Sequence, residues 1–341
     1  MNLLQPMLTP SRPDSRIHQC RVCGWRGAGE VHSLREMMYR TDEAFDYWLC
    51  AQCRCLQIQD LPTDLARHYP PGYYSQRDRV DPAAPTGIKG LLVRWYCRSR
   101  ALRSGSVGTV LLQSVLPMPT DFVEIGNYLR HARLRSATER ILDVGCGASP
   151  HRLTAMKRCG FGAVEGLDPF IASDTVFHGV PVRKRTIDEA TGEFGLVMFH
   201  HSLEHVPDPL ASMRKAAQLL RPGGCCLVRV PVFDTYLWRT FGSRWVELDP
   251  PRHLYLFSRE SMRQLALRCG LTVEHVEFDS EPWEIEGSVQ AVAQDPVRAS
   301  AGGHAAPVPH AAQDRQETLE LVRQLNAVGD AGRACFYLRK P

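Results

Sequence analysis

The sequence predicts an α/β protein built on a mostly parallel sheet, preceded by a small four-cysteine, zinc-ribbon-like domain. Three observations carry this. From Ile141 onward strand-like and helix-like stretches alternate, the pattern of crossover units that place helices on both faces of a sheet. The first of those strands runs into a glycine turn, Asp143-Val144-Gly145-Cys146-Gly147. Ahead of it stand two C-x-x-C pairs, Cys20/Cys23 and Cys50/Cys53.

The strands are expected at 140–144, 163–167, 180–185, 194–199, 224–230, 272–278 and 333–339, with helices between them at 208–220, 258–269 and 316–327. Upstream, residues 88–103 (IKGLLVRWYCRSRALR) mix apolar and basic side chains at helical spacing. A second basic helix is expected near 127–139. Turn-forming clusters stand at 69–75 and 81–85, and 291–315 is an Ala-, Gly-, Pro- and His-rich excursion. The expected organisation is a disordered tail over 1–16, the ribbon over 17–60, a connector with a helical segment over 61–135, and the α/β domain over 136–341.

Bulk composition is that of an ordinary globular chain: 341 residues, 44% hydrophobic and 23% charged. A net charge of +4 neither demands nor excludes an anionic partner. No run reaches the ~18 continuous apolar residues of a membrane span, and Met1 to Arg16 has no apolar stretch like a signal peptide's. The expected compartment is the cytoplasm. Twelve cysteines in that setting point to metal rather than disulfides, because four of them are paired at knuckle spacing. Cys20, Cys23, Cys50 and Cys53 make a closed four-thiolate set of the kind that holds structural zinc. Gly24 follows the first pair, where a knuckle needs positive φ; Arg54 stands in the equivalent place of the second. Cys55 is a spare thiol that leaves the ligand assignment open, and reduced free thiols are the plain alternative. No thioredoxin-like unit surrounds either pair, which argues against redox chemistry.

Ligands of open α/β sheets bind beyond the carboxyl ends of the strands, where strand order reverses. Gly145 and Gly147 let backbone approach a ligand there. Asp168 ends the next strand and can accept hydrogen bonds from ribose hydroxyls. A dinucleotide is the rival ligand, but the turn reads G-C-G-A-S-P and Pro150 replaces the third glycine of that fingerprint. Asp143 suits instead a ligand with a cationic amino group.

With the motifs that follow, the chain resembles the class I S-adenosylmethionine-dependent methyltransferases. Asp143, Gly145, Cys146 and Gly147 match the first motif; Asp168, with Pro169, matches the ribose-binding acid; Ile187 and Asp188 match the positions beside the adenine. Val197 to Pro209 (VMFHHSLEHVPDP) resembles the fourth-strand motif of one broad subgroup, and Leu219 to Gly224 (LLRPGG) the turn before the fifth strand. Tyr69 to Ser75 (YPPGYYS) and Asp249 to Ser258 (DPPRHLYLFS) resemble segments of that subgroup, whose members often carry an N-terminal cysteine ribbon. The resemblance spans about 17–339, with no clear match over 280–332. It implies a Rossmann-like, seven-stranded sheet whose last strand is antiparallel, S-adenosyl-L-methionine as cofactor, and structural zinc in the ribbon.

Methyl transfer from a sulfonium is a direct displacement, so the protein must align the reactants and exclude water. A general base is needed when the acceptor is a hydroxyl or an acidic carbon. His200 and His201 follow strand four, where the acceptor should lie, and both are placed in the cofactor-binding set. His201 is the first candidate for the methyl-transfer region. Glu204 and His205 lie one turn on, where a helix-start carboxylate and a packed histidine are the plainer roles. His253 and Tyr255 sit on a loop that can cap the substrate. Tyr73, with Tyr74, can cover the site from the N-terminal side; in related sugar C-methyltransferases a Tyr and a His serve as bases. The expected catalytic candidates are therefore His201, His205, His253 and Tyr73.

The acceptor implied is a small molecule: a sugar, nucleotide-sugar or cell-surface polysaccharide, or a secondary-metabolite intermediate. The alternatives are an RNA- or protein-modifying methyltransferase and an inactive scaffold of the same fold. The ribbon is not strongly basic, and intact Asp143, Gly145, Gly147 and Asp168 speak against the scaffold. Peripheral membrane contact through the basic helix at 88–103 ranks below a bridging helix with a solvated basic face.

Overall fold

A computed structural model describes residues 11–39, 41–69, 87–102, 120–294 and 315–341. The strands are β1 (Ser11–Gln19), β2 (Arg26–Arg35), β3 (Ala44–Leu49), β4 (Leu56–Ile58), β5 (Ile141–Val144), β6 (Val164–Leu167), β7 (Thr175–Phe177), β8 (Val180–Arg183), β9 (Phe194–His200), β10 (Leu220–Pro231), β11 (Tyr255–Leu256), β12 (Thr272–Phe278) and β13 (Arg333–Arg339). The helices are α1 (Gly87–Ala101), α2 (Thr120–Ala132), α3 (His151–Arg158), α4 (Pro209–Leu219), α5 (Tyr236–Phe241), α6 (Arg259–Arg268), α7 (Pro282–Ala293) and α8 (Arg315–Val328). Tyr73, Tyr74 and the turn cluster at 81–85 lie outside the described residues, as do 295–314 of the expected excursion.

The large sheet runs β12-β13-β10-β9-β5-β6-β8-β7. Neighbours from β10 through β8 are parallel, while β13 is antiparallel to both β10 and β12. The seven expected strands are present at their expected places. An eighth, β7, is added as an antiparallel hairpin on the β8 edge; its Thr175 and Val176 are exposed, so it offered no apolar pattern to read. Every residue of β9 is buried, as befits a strand covered on both faces. Leu196 and Met198 enter one core layer with α1, α2 and α3, while Val197 and Phe199 enter the other.

Two helical expectations shift. The helix expected near 127–139 is α2, ending at Ala132. Its Ile125, Tyr128, Leu129 and Ala132 are buried at i, i+3, i+4 and i+7, and Arg133, at φ 54°, ends it. In α1 the basic face is shared with apolar side chains: Ile88, Leu91, Leu92 and Trp95 are exposed beside Arg94 and Arg98, while Val93, Tyr96 and Cys97 pack inward.

The small sheet runs β1-β2-β3-β4-β11. Two of its features depart from expectation. The tail expected over 1–16 gives six residues, Ser11 to Arg16, to β1; that strand is mostly solvent-facing, so it lacked the alternation by which strands are read. The fifth strand, β11, comes from the far side of the chain: Tyr255 pairs with Gln57 and Leu256 with Leu56. Tyr255 is consequently buried, its hydroxyl donating to the Pro207 carbonyl at 2.7 Å, and does not cap a substrate.

The strap Asp249–Ser258 is held to the small sheet at several points. Tyr47 donates to the His253 carbonyl at 2.7 Å and Ser258 to the Cys53 carbonyl at 2.6 Å. Arg252 and Glu36, each with a side chain 1% exposed, pair at 2.6 Å, with Asp249 closing the cluster from the other side. Removing one member of such a buried set leaves an uncompensated charge. Arg252→Ala is expected to cost about 3 kcal/mol or more of folding stability, measured by chemical denaturation. A cost within about 0.5 kcal/mol, the range of an ordinary surface change, would show that the cluster does not hold the two sheets together.

Candidate active site

Strand order reverses at the β5–β9 pair, with β6 and β8 to one side and β10 to the other. The carboxyl ends of β5, β6 and β9 therefore open onto one crevice, the expected position of a ligand site. At its floor, Asp143 is 1% exposed and its Oδ1 has no hydrogen-bond partner. Burial pushes its carboxyl up to about 7; Asp168 adds to the rise and Arg152 opposes it. The chain then turns through Gly145 (φ 75°) and Gly147 (φ 69°). A Cβ at Gly145 would lie 2.5 Å from Cβ of Ser202, so glycine is needed both for the backbone and for the close approach. Ser202 in turn donates to the Val144 carbonyl at 2.6 Å, tying the turn after β9 to the end of β5.

Asp168 closes the crevice from β6. Its Oδ2 accepts from the Gly147 N–H at 2.9 Å and its Oδ1 from the Phe170 N–H at 2.8 Å. Each oxygen keeps a further lone pair. Pro169 is exposed. Farther along, Ile187 is buried and Asp188 exposed in a 3-10 turn after β8. The residues expected to hold the donor thus line one edge of the sheet, and their chemistry fits it: a buried carboxyl with one unpartnered oxygen, a Cβ-free turn and an acid with spare acceptor capacity.

The histidines divide into two groups. His200, at the end of β9, is buried, with Nε2 3.3 Å from the Tyr128 hydroxyl and 3.4 Å from Arg229 Nη1. His201 adopts φ 52°, and Arg229 donates to its Nε2 at 2.8 Å. A guanidinium only donates, so that nitrogen is the acceptor and its lone pair is engaged. Burial, reinforced by Arg229, holds both rings well below the usual histidine range.

The second group is Glu204, His205 and His253. Leu203–His205 forms a 3-10 turn after β9, and the strap joins it by Leu254 N–H donating to the Glu204 carbonyl at 2.8 Å. Nδ1 of His205 lies 2.8 Å from the Arg252 carbonyl, and Nδ1 of His253 lies 2.7 Å from the Glu247 carbonyl. Burial lowers His205 to about 3 and also lowers His253. Glu204 is completely buried, with neither carboxylate oxygen hydrogen-bonded, and burial raises it well above the carboxylate range. Tyr69 reaches this group, its hydroxyl 3.1 Å from His205 Nδ1. Sequence reading set Glu204 beside His205 among the candidate bases, with a helix-start carboxylate as its plainer role, and gave Arg229, Glu247 and Tyr69 no part in the site. A glutamate between Leu203 and Val206, two buried or half-buried apolar positions, is the signal it contained.

The ribbon cysteines come together. Sγ atoms of Cys20 and Cys53 are 3.7 Å apart, as are those of Cys23 and Cys50. Tetrahedral thiolates about 2.3 Å from zinc stand roughly 3.8 Å from one another. Both knuckles turn through left-handed residues, Gly24 (φ 83°) and Arg54 (φ 59°). Cys55 is buried outside the group, directed to the Leu56 carbonyl.

A family model described as a methyltransferase domain matches residues 123–276. The chain is 30% identical over 179 residues to the ubiquinone biosynthesis O-methyltransferase of Chromobacterium violaceum, covering 48% of this chain and 74% of that protein. It is 36% identical over 126 residues to the enzyme of the same name from Xanthomonas oryzae pv. oryzae, covering 33% of this chain and 48% of that one. The chain thus spans about half the length of the Xanthomonas relative it matches. Among solved structures it is similar to a geranyl diphosphate methyltransferase in complex with SAM (14% identity, TM-score 0.43, covering 64% of this chain and 85% of that one). It is also similar to an S-adenosylmethionine-dependent methyltransferase from Mesorhizobium loti (19%, TM-score 0.38, covering 63% and 97%). The chain belongs to the class I S-adenosylmethionine-dependent methyltransferases.

Because Asp143 titrates higher in the folded chain than in the unfolded one, the folded state holds the extra proton between about pH 4 and 7. Stability from this group is present below that window and lost as pH rises through it. Asp143→Asn should therefore gain stability relative to the parent as pH rises from 4 to 8, read as the pH dependence of the difference in denaturation midpoints. A difference that stays flat would contradict the desolvated position of this carboxyl.

Proposed function

We propose that the chain transfers the methyl group of S-adenosylmethionine to a hydroxyl of a small-molecule acceptor at the carboxyl edge of β5, β6 and β9. The observation that carries the reading is Asp143: a buried carboxylate with an unpartnered oxygen beneath a glycine turn calls for a cationic ligand, and the donor's amino group supplies one. Asp143 and the Gly145–Gly147 backbone would hold the methionine part, Cys146 lining the turn. Asp168 would take the ribose hydroxyls, with Pro169 beside it and Ile187 and Asp188 flanking the adenine. The donor supplies an electrophilic methyl and a neutral leaving group.

The protein's own part is orientation, exclusion of water and handling of the hydroxyl proton. Arg229 engages His201 and, more distantly, His200, which suits them to shaping the crevice wall. The acceptor oxygen is activated at Glu204, His205 and His253, where Nε2 of both rings makes no hydrogen bond among the described residues. The name of the curated relatives supports oxygen as the atom methylated. Sugar hydroxyls, free, nucleotide-linked or in a polysaccharide, and secondary-metabolite hydroxyls belong to the same acceptor class. Cys20, Cys23, Cys50 and Cys53 would hold a closed, structural zinc that fixes the sheet to which the strap of His253 is bound.

Titration calorimetry with S-adenosylmethionine should show binding that strengthens as pH rises through about 7, where Asp143 ionises. Asp143→Ala and Asp168→Ala should each weaken it roughly tenfold to a hundredfold, the worth of one charged hydrogen bond. A folded, zinc-loaded chain that does not bind the donor would sink the reading. Cys50→Ser should lower kcat by displacing His253 while leaving donor affinity within about threefold of the parent, under the tenfold of 1.4 kcal/mol. An unchanged kcat would detach the ribbon from catalysis.

A further inference from the structure

We propose that Glu204, His205 and His253 form a second metal site, a two-imidazole, one-carboxylate centre for a divalent ion of the zinc–cobalt class. One donor atom from each of the three lies within 4.8 Å of the other two. The carboxylate of Glu204 is 0% exposed and both its oxygens lack partners. A carboxyl taken out of water either keeps its proton or, to ionise, needs a counter-charge or a full set of hydrogen bonds. Two neutral imidazoles provide neither, whereas a dication among them provides the charge. His201 lies beside it, Nδ1 3.4 Å from Glu204 Oε1, without completing a hydrogen bond.

The imidazoles are oriented for ligation. A backbone carbonyl can only accept, so Nδ1 of His205, 2.8 Å from the Arg252 carbonyl, carries the proton, as does Nδ1 of His253, 2.7 Å from the Glu247 carbonyl. Each ring therefore keeps its lone pair on Nε2. This is the outer-shell arrangement that orients metal-bound histidines, the far N–H donated to a carbonyl or carboxylate. The ring centroids stand 4.7 Å apart at 65°. Imidazole with carboxylate favours zinc, cobalt, nickel or iron over calcium and magnesium. Three protein ligands leave a position open, unlike the closed cysteine set. An acceptor oxygen would occupy it and be acidified there. That role rests on the methyl-transfer reading; the site itself does not.

The full-length chain, loaded with zinc and dialysed, tests it. The test uses a His275→Ala background, because His131, His275 and Glu277 form a separate solvent-facing group able to take a stray ion. Elemental analysis should find one equivalent of zinc beyond that of the four thiolates, and X-ray absorption at the zinc edge a mixed sulfur and nitrogen/oxygen shell. Glu204→Gln and His253→Gln should each lose the additional equivalent and leave an all-sulfur shell; the retained thiolate-bound ion reports that these variants have folded. A single equivalent in an all-sulfur shell in the His275→Ala chain, or undiminished zinc in both variants, overturns the proposal. A zinc-replete chain that fails to bind S-adenosylmethionine would defeat the methyl-transfer reading and leave this one standing.

Discussion

Arg252 is a full positive charge in a place water does not reach, and much of the molecule is arranged to make that tolerable. Its guanidinium meets Glu36 from the small sheet, Asp249 from its own strap and the His68 carbonyl from the segment after β4. An unpaired charge at that depth would cost several kcal/mol, so the three segments are obliged to meet there. The apolar side chains Tyr47, Leu56, Leu254 and Leu256 share one core across the small sheet and the strap, and their burial favours the two coming together. Such contacts are not directional, however, and would tolerate sliding; the ion cluster and the β4–β11 pairing set the register.

That register has a chemical consequence. His253 sits between Arg252, held by Glu36, and Leu254, whose N–H reaches Glu204. Its position relative to the end of β9 is therefore decided on both sides. Behind the crevice a second charged layer does similar work. Arg229 on β10 is bound to Asp279 at 2.5 Å and reaches His201, while Arg333 on β13 lies within 4.0 Å of Glu247, Asp279, Glu281 and Glu284. Glu247 belongs to both layers, because its backbone carbonyl orients His253. The β5–β6 side of the crevice is built differently, from backbone: a turn that no Cβ can enter and N–H groups that orient Asp168. Glycine geometry is local and does not depend on the strap.

This difference explains what could be read from the sequence. The glycine turn and the acid after it were legible because their determinants are contiguous. Asp143 through Gly147 specify a turn on their own, and Asp168 follows at the end of the next strand. The sheet was legible for the same reason, since each buried strand carries its own apolar run. The Glu204, His205 and His253 group was not, because its determinants lie far apart in the chain. Nothing near Tyr255 announces that it pairs with Gln57, and the burial of Glu204 depends on a strap some fifty residues on. His201 shows the limit most clearly. Its place after β9 made it the leading candidate for the methyl-transfer region, yet whether its Nε2 is free depends on Arg229, a neighbour only through sheet register. β1 and β7 were missed for the opposite reason: their exposed side chains leave no pattern, and backbone pairing alone makes them strands.

The two cysteine knuckles and the Glu204 group are opposite solutions to placing charge inside a protein. The knuckles gather four thiols within one sheet, so their site is complete without the rest of the chain. The Glu204 group draws one ligand from the turn after β9, its neighbour from the same turn and the third from the strap, so it exists only when both sheets are assembled and aligned. It is also sensitive to small displacements, since moving the strap by one residue along β4 would exchange the faces of Tyr255 and Leu256 and carry His253 with them. The cysteine sheet is thus more than an appended module. By pairing with β11 it becomes the template against which the strap is positioned, and five residues of backbone, Arg252 to Leu256, tie the cysteine sheet to the Glu204 group.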